Sequence, residues 1–261
     1  MLSTPGACTI AGTVTRLATS RDQTLPSPLH ADMIEMLRAA RAAEREIFGG
    51  ISPDRREEPN TIGEWSFKDV YAHLVAWRAV EARDLERTTR GEPGVAPGDP
   101  GPEIPTDEAN EMLHAKYASH SWDDVVREAD ASVEALVDVI GRSSTSALCE
   151  CEGMLVGIGA NGSNHAMGHL IDIANLTGAH ARFDTLARTI EEVLARGHLP
   201  PHDSGVMLYN LACYEALAGD TEDARRLLRT AFAHRRDLLT DATSDPDLAS
   251  VRDELESLAT A

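Results

Sequence analysis

Apolar residues recur at helical spacing in one segment of this chain after another, and Gly or Pro residues separate these segments. Within residues 66–77, for example, Val70, His73, Leu74 and Trp77 fall at positions i, i+3, i+4 and i+7. That spacing puts the four side chains on one face of an α-helix, as an inward stripe. Only 4% of the residues are aromatic, and the abundance of Ala and Leu favours helices over sheets. We therefore predict an all-α fold.

Two serines precede helical segments in a pattern that is typical of helix N-termini. Ser66 is followed at the third position by Asp69, and Ser121 is followed at the third position by Asp124. Side chains at these spacings can exchange hydrogen bonds with the backbone as a capping box. We expect one helix to begin directly after each serine.

The same period, with Gly or Pro at the ends, predicts further helices. They are the segment from Ala31 to Gly49, the segment that starts at Thr106, residues 164–176, residues 183–196, and two helices joined at Gly219 and Asp220. Residues 91–105 are rich in Gly and Pro, so we expect a long exposed loop there. Residues 142–163 are expected to be irregular.

We predict that the chain has three parts. Residues 1–28 are rich in Thr, Ser, Gly and Pro without a helical period, which is typical of a flexible tail. Residues 29–180 are predicted to form a four-helix bundle. Residues 181–261 are predicted to form a smaller helical unit.

The net charge of -19 restricts the partners of the chain. We expect neither nucleic acid nor an anionic membrane as a partner, because binding either of them needs a basic surface. No apolar run reaches the length of a transmembrane helix, and the first 23 residues lack the apolar core of a signal peptide. The four cysteines show no disulfide framework. A reducing cytoplasm is the expected location.

A pair of histidines, His165 and His169 in the segment NHAMGHL, is the motif with the clearest chemical potential. Residues four apart on a helix project from one face, so both imidazoles can reach one divalent metal ion. Catalytic zinc sites often have three protein ligands, and His73 is the best candidate for the third. Asp172 shares a face with His165, and we expect it either to accept a hydrogen bond from a ligating imidazole or to face the open position. Trp77, one turn after His73, is a candidate for the wall of a pocket.

Each of these residues also has an ordinary structural explanation, and the sequence pattern alone leaves both open. A buried histidine more often bonds to a backbone carbonyl than to a metal, and a pair at this spacing arises easily by chance among ten histidines. Cys149 and Cys151 are expected to be an incidental pair, and Cys213 is expected to pack on the apolar side of a helix. The other seven histidines are expected to be solvated, namely His30, His114, His120, His180, His198, His202 and His234.

Three segments resemble one known superfamily. GEWSFKDVYAHLVAWRAVE resembles the second helix of the DinB-like helical bundles, in which W-S-x-K-D-x-x-A-H-L is characteristic. ANEMLHAKYASHSWDDVVREADASVEAL resembles the middle of the ClbS/DfsB branch of this superfamily. NHAMGHLIDI resembles the last helix, which often carries H-x-x-x-H. The likeness covers about residues 30–178.

The resemblance implies an up-down-down-up four-helix bundle. Many members hold a divalent metal, here expected to be zinc or nickel, with three histidines that correspond to His73, His165 and His169. Similar bundles include mycothiol-dependent maleylpyruvate isomerase-type proteins and bacillithiol-dependent transferases, which implies a low-molecular-weight thiol as cofactor and a small electrophile as substrate. The chain departs from the superfamily at Asp172, where Gln or Arg is often found.

The C-terminal part resembles a tetratricopeptide-like (TPR-like) hairpin. Small residues, Ala212 and Ala224, stand where two helices must pack closely, and Gly219 stands at the turn. Because one such repeat cannot bury its own apolar face, we expect it to dock on the bundle or on another chain. It is either a structural cap or a surface for a protein partner or a homodimer.

Three functions are therefore open. The first is a metal-binding, thiol-dependent transferase or isomerase that acts on a small electrophile. The second is a metal-free ClbS/DfsB-like protein that binds or hydrolyses a reactive metabolite in self-protection. The third is an interaction module of the tetratricopeptide type.

Overall fold

The computed structural model describes residues 27–59, 65–92, 94–150 and 165–259, and the regular structure in these ranges is helical, without a strand. The predicted all-α class is therefore confirmed. In the same ranges, no helix combines the length and the apolar character that crossing a membrane requires. The predictions for the N-terminal tail fall mainly on residues 1–26, outside the described residues.

Most of the described chain lies in helices. In chain order they are α1 (Pro28–Gly49), α2 (Phe67–Thr89), α3 (Thr106–Tyr117), α4 (Trp122–Arg142), α5 (Thr145–Glu150), α6 (His165–Thr177), α7 (His180–Ala195), α8 (Pro201–Ala218), α9 (Thr221–His234), α10 (Leu238–Ala242) and α11 (Leu255–Leu258). Short 3₁₀ turns occur at Pro53–Arg55, Pro246–Leu248 and Arg252–Glu254.

Four of the helices pack around a common core. α2 lies along α4, α1 contacts both α4 and α6, and α2 in turn contacts α6. Burial of a large aliphatic side chain in such a core contributes about 1.5–3 kcal/mol. The fully buried side chains of these helices include Met33, Leu37, Val70, Leu74, Leu136, Ile140, Leu170 and Ile173. Because α3 lies along α2 as well, the middle of α2 is flanked by three helices.

Both predicted capping boxes are confirmed. The Ser66 hydroxyl accepts a hydrogen bond from the Asp69 backbone N–H at 3.1 Å, and the Asp69 carboxylate accepts one from the Ser66 N–H at 3.0 Å. Ser121 and Asp124 make the same pair of bonds at 3.2 and 3.0 Å. Each cap typically stabilises its helix by about 1 kcal/mol. The first box fixes where α2 begins, and this sets the face on which His73 projects.

The structure differs from the sequence-based expectations at the start of α1 and in the segments 91–105 and 142–163. α1 begins at Pro28, three residues before the expected start, because proline is well suited to the first turn of a helix. The segment 91–105 is not exposed throughout, since Asp99 is buried and pairs with Arg83 and Lys116. The segment 142–163, expected to be irregular, contains the short helix α5.

The C-terminal helices dock on the helices before them. α7 packs along α1 and also contacts α6, while α8 contacts both α6 and α7. α8 and α9 pack closely side by side, and the turn between them needs Gly219, whose φ of 90° lies in the left-handed region. The turn Pro246–Leu248 packs on α8, and α11 packs on α9. The expected docking of this unit on the bundle helices is therefore observed, whereas a protein partner or homodimer stays a prediction.

Candidate metal centre

The three histidines singled out in the sequence lie together in the fold. His73 comes from the second turn of α2, and His165 and His169 come from the first two turns of α6. The Nε2 atoms of His73 and His165 are 3.0 Å apart, and those of His165 and His169 are 3.2 Å apart. One nitrogen from each ring lies within 4.8 Å of the others. We call these three residues the histidine cluster.

Burial keeps the histidine cluster in the neutral form that a metal ligand requires. His73 and His169 are only 6% and 8% exposed. Burial, followed by the nearby charges of His169 and His114, holds the pKa of His73 well below its usual range. Burial, followed by the charges of the other two rings and of Arg78, does the same for the pKa of His165. Burial alone lowers the pKa of His169 to about 4.

The spacing of the ring nitrogens fits a small divalent ion. Zinc binds imidazole nitrogen at about 2.0–2.1 Å, which in a tetrahedral site separates two ligand nitrogens by about 3.3 Å. The two Nε2 separations of 3.0 and 3.2 Å are close to this value. The donor set of three neutral imidazoles is also the one that catalytic zinc sites use, with a position left open. The residues of the cluster therefore fit the ion that the resemblance implies.

The other ring nitrogens of the cluster lack the support that metal-binding histidines normally have. Such rings usually donate a hydrogen bond from the second nitrogen to a carboxylate or a carbonyl. Here the Nδ1 atoms of His73, His165 and His169 are buried without a hydrogen-bond partner among the described residues. An unpaired buried donor is destabilising, by about 1–3 kcal/mol. This feature is the main departure from a fully built metal site.

Asp172 does not supply the missing hydrogen bond. Its carboxylate accepts none from the three Nδ1 atoms in this structure. Burial, together with the negative charge of Asp247 in the C-terminal turn, raises the pKa of Asp172. This charge comes from the side of α6 where the C-terminal helices dock. The alternative, that Asp172 faces an open coordination position, stays a prediction.

Aromatic rings surround His73. Trp77, one turn further along α2, lies edge-on to the His73 ring with 6.5 Å between ring centroids. Its indole N–H donates to the Asn110 side chain of α3 at 2.9 Å, which holds the ring in place. Trp65, directly before the cap of α2, lies 5.0 Å from the His73 ring. Trp77 and Trp65 therefore both border His73, and the role of Trp77 in a pocket stays a prediction.

A buried ion pair lies close to the cluster in the core. Arg78 and Glu44 are both fully buried and hydrogen-bonded to each other, and Arg41 bonds to Glu44 and to the Tyr71 hydroxyl. Removing one partner of such a pair is strongly destabilising because the other charge is left uncompensated. The positive charge of Arg78 also contributes to the low pKa of His165. The charge of Arg78 therefore favours the neutral form of His165.

Of the seven histidines that were expected to be solvated, His30 is buried, and His114 and His120 are half-buried. His30 is buried and bridges the Ser27 hydroxyl and the Ser143 carbonyl at 2.6 and 2.8 Å, so it ties the start of α1 to the end of α4. His114 stacks on Trp65 with 5.3 Å between ring centroids, and its Nε2 lies 3.3 Å from the Asp69 carboxylate.

A second group of candidate ligands was not expected. Cys213 of α8 lies with Asp245 and Asp247, which flank the start of a 3₁₀ turn, and one ligand atom of each is within 4.8 Å of the others. Cys213 is buried on its helix, as expected for a packing residue. Cys151 and the side chain of Cys149 lie outside the described residues, so the prediction for this pair is not tested. We call Cys213, Asp245 and Asp247 the thiol–carboxylate cluster.

Comparisons with known proteins do not assign the chain to a family. The chain has no match among protein-family models, among curated proteins or among solved structures. What the chain does must therefore be argued from its own residues.

Proposed function

We propose that the chain is a DinB-like protein that binds zinc or nickel and uses a low-molecular-weight thiol to transfer or isomerise a small electrophile. Its helices would then form a DinB-like bundle followed by a tetratricopeptide-like hairpin. The observation that carries the proposal is the histidine cluster, in which three imidazoles from two helices converge at 3.0 and 3.2 Å. The spacing of four residues on one helix explains why His165 and His169 lie close together. It does not explain the position of His73, which lies on another helix, 92 residues from His165 in the sequence.

The chain's own residues provide the binding and the surroundings that such a reaction needs. His73, His165 and His169 would hold the ion, and a bound divalent ion would stabilise a thiol in its nucleophilic thiolate form. The rings of Trp65 and Trp77 pack against His73, and low-dielectric surroundings of this kind strengthen electrostatic interactions in a site. The net charge of -19 also favours an uncharged or cationic substrate over a polyanion.

The proposal is tested by the metal content and the metal response of untagged protein. We expect about one zinc or nickel ion per chain. After chelation, returning zinc at about 100 times its Kd should stabilise the fold by about 2.7 kcal/mol. In His165→Ala, both the bound metal and this stabilisation should be lost. His180→Ala, which changes an exposed histidine on α7, is the matched control and should respond as the wild type does.

Elemental analysis and urea denaturation give the two readouts. A wild-type chain that contains no stoichiometric metal and gains no stability from added zinc or nickel would refute the proposal. The proposal also fails if His165→Ala keeps its full metal content, because the ion must then lie elsewhere.

A second function is favoured by the unpaired Nδ1 atoms of the cluster. Since none has a partner among the described residues, the second-shell bonds that usually accompany a bound metal are missing there. A metal-free ClbS/DfsB-like protein that binds or hydrolyses a reactive metabolite would not need these bonds. The same metal analysis separates the two functions, because this alternative predicts an active protein without stoichiometric metal.

A further inference from the structure

We propose that His114, oriented by Asp69, accepts the proton of the thiol that reacts at the histidine cluster. This inference rests on the proposed function and adds to it a residue outside the three candidate ligands. It makes His114 a catalytic residue and Asp69 a positioning residue. Neither role follows from the metal-ligand pattern in the sequence.

The packing of α3 against α2 places His114 beside the cluster. On α2, Asp69, His73 and Trp77 are spaced by four residues and share one face. On α3, Asn110 and His114 are also four residues apart. Asp69 meets His114, and Trp77 meets Asn110, so His73 lies between two contacts that join the same pair of helices. α3 therefore covers this face of α2 on both sides of His73.

Trp65 joins His114 to the cluster on a second side. Its ring stacks on His114 with an angle of 7° between planes, and it contacts His73 at 5.0 Å between centroids. The charge of a protonated His114 is also felt at His73, whose pKa it lowers. His114 is thus a near neighbour of the cluster without being one of its three candidate ligands.

The Asp69 carboxylate faces Nε2 of His114. One carboxylate oxygen, Oδ2, accepts from both the N–H and the hydroxyl of Ser66, at 3.0 and 2.7 Å. The other oxygen, Oδ1, is left for His114 and lies 3.3 Å from its Nε2. A carboxylate beside Nε2 favours the tautomer with the hydrogen on that nitrogen. The neutral ring then carries a lone pair on Nδ1, and 39% of the His114 side chain is exposed.

The proposed step conserves atoms and charge. The S–H bond of the thiol breaks, its electron pair stays on sulfur, and a new N–H bond forms at Nδ1 of His114. The Asp69 carboxylate stabilises the resulting imidazolium, as in other carboxylate–histidine pairs. Sulfur then forms a bond to the electrophilic carbon, and the electron pair displaced on the electrophile takes the proton back from His114. No oxidant or reductant is needed.

The kinetic test uses the full chain loaded with cobalt, which reports thiol binding through its absorption spectrum. N-acetylcysteine is the thiol probe, and its uptake is followed by stopped-flow absorption at pH 7. We expect His114→Gln to bind cobalt as tightly as the wild type but to take up the thiol about 100-fold more slowly, in the usual range for loss of an acid–base group. His180→Gln, the same change at an exposed histidine, should keep the wild-type rate.

A second test needs neither metal nor thiol. In protein labelled with ¹⁵N-histidine, NMR should show the hydrogen of neutral His114 on Nε2. Asp69→Asn retains an oxygen that can cap Ser66 but presents an amide N–H to His114, so the hydrogen should move to Nδ1. The same variant should slow thiol uptake as His114→Gln does. A purely structural role for Asp69 would leave the tautomer unchanged.

Each outcome decides between the two proposals. If wild-type protein binds cobalt and thiol but His114→Gln is as fast as the wild type, only the role of His114 is overturned. Cobalt binding without thiol uptake, or a hydrogen on Nδ1 of wild-type His114, overturns it as well. If the wild-type chain binds no cobalt, the proposed function itself fails and this inference fails with it.

Discussion

The histidine cluster and the thiol–carboxylate cluster both bring three candidate metal ligands within 4.8 Å, yet their polar atoms are satisfied very differently. In the thiol–carboxylate cluster, Asp245 accepts hydrogen bonds from the Tyr209 hydroxyl at 2.8 Å and from the Asp247 backbone N–H at 3.0 Å. The Cys213 thiol adds a weak contact at 3.8 Å. In the histidine cluster, the Nε2 atoms find only one another, and the Nδ1 atoms have no partner among the described residues.

This difference separates a carboxylate whose hydrogen bonds are made within the fold from a group of imidazoles whose ring nitrogens largely lack them. The carboxylate of Asp245 already has the donors it needs, and it joins the C-terminal turn to α8. Each contact between two Nε2 atoms of the imidazoles can be a hydrogen bond only if one ring carries its hydrogen on Nε2 and the other does not, because a neutral ring cannot donate from Nε2 and offer a lone pair there at once. The candidate ligand atoms are therefore equally close together in the two clusters. More polar atoms lack a hydrogen-bond partner among the described residues in the histidine cluster.

The largest predicted effect is an acid-side loss of stability in metal-free protein. The pKa of His169 is about 4 in the fold, against about 6.5 in an unfolded chain. Between these values the unfolded chain binds a proton that the folded chain does not, so the free energy of unfolding falls as pH falls. The loss at His169 amounts to about 3 kcal/mol by pH 4, and His169→Gln should be flatter over this range by that amount. Urea denaturation from pH 7 to 4, with chelator present, measures it.

The control for this prediction is His180→Gln, whose pH profile should match that of the wild type. If His169→Gln has the same acid slope as the wild type, the ring at position 169 is protonated in the folded state. The histidine cluster would then resemble an ordinary solvated group, and the contrast with the thiol–carboxylate cluster would be lost.

Local chemistry explains why so much of the fold was predictable from the sequence. Ser66 and Ser121 cap helices through bonds to residues only three positions away, and Gly219 ends α8 because it can adopt a positive φ. The helix that carries His165 and His169 followed from the same kind of local signal, down to its end near Gly178. Such features depend on neighbouring residues, so the sequence shows them directly.

The residues that could not be predicted depend on contacts between distant segments. His114 meets Asp69 only because α3 packs along α2, and His30 is buried because it reaches Ser143 at the end of α4. The thiol–carboxylate cluster likewise forms when the C-terminal turn folds back on α8. The spacing of charges or histidines along the chain does not predict these contacts.

The next largest effect concerns the carboxylate that already has its partners. Asp245 is 7% exposed, so Asp245→Ala leaves the buried Tyr209 hydroxyl without its acceptor and should lower the free energy of unfolding by about 2 kcal/mol. In the double variant with Tyr209→Phe, the loss should be smaller than the sum of the two single losses. Urea denaturation of the wild type, the two single variants and the double variant measures the coupling between Asp245 and Tyr209.

The zinc content of Asp245→Ala tests whether the thiol–carboxylate cluster also binds metal. Asp245→Ala should bind as much zinc as the wild type, because the histidine cluster is intact. If Asp245→Ala loses one equivalent of zinc, the thiol–carboxylate cluster is itself a metal site, and hydrogen-bond satisfaction does not distinguish the two clusters.

The smallest predicted effect lies at the opposite end of the pH scale. Burial, followed by the negative charges of Asp245 and Asp247, raises the pKa of the Cys213 thiol well above its usual range. An unfolded thiol ionises near pH 8.5, so above that pH the unfolded chain releases a proton that the folded chain keeps. The free energy of unfolding should therefore fall by about 1.4 kcal/mol by pH 9.5, and Cys213→Ser should be flatter there by this amount. Urea denaturation between pH 8 and 9.5 measures the difference.

A thiol that bound metal would instead ionise readily in the fold. The wild-type decrease in the free energy of unfolding at alkaline pH would then disappear when zinc is added. That result would show a thiolate ligand at Cys213 and refute its assignment as a structural contact.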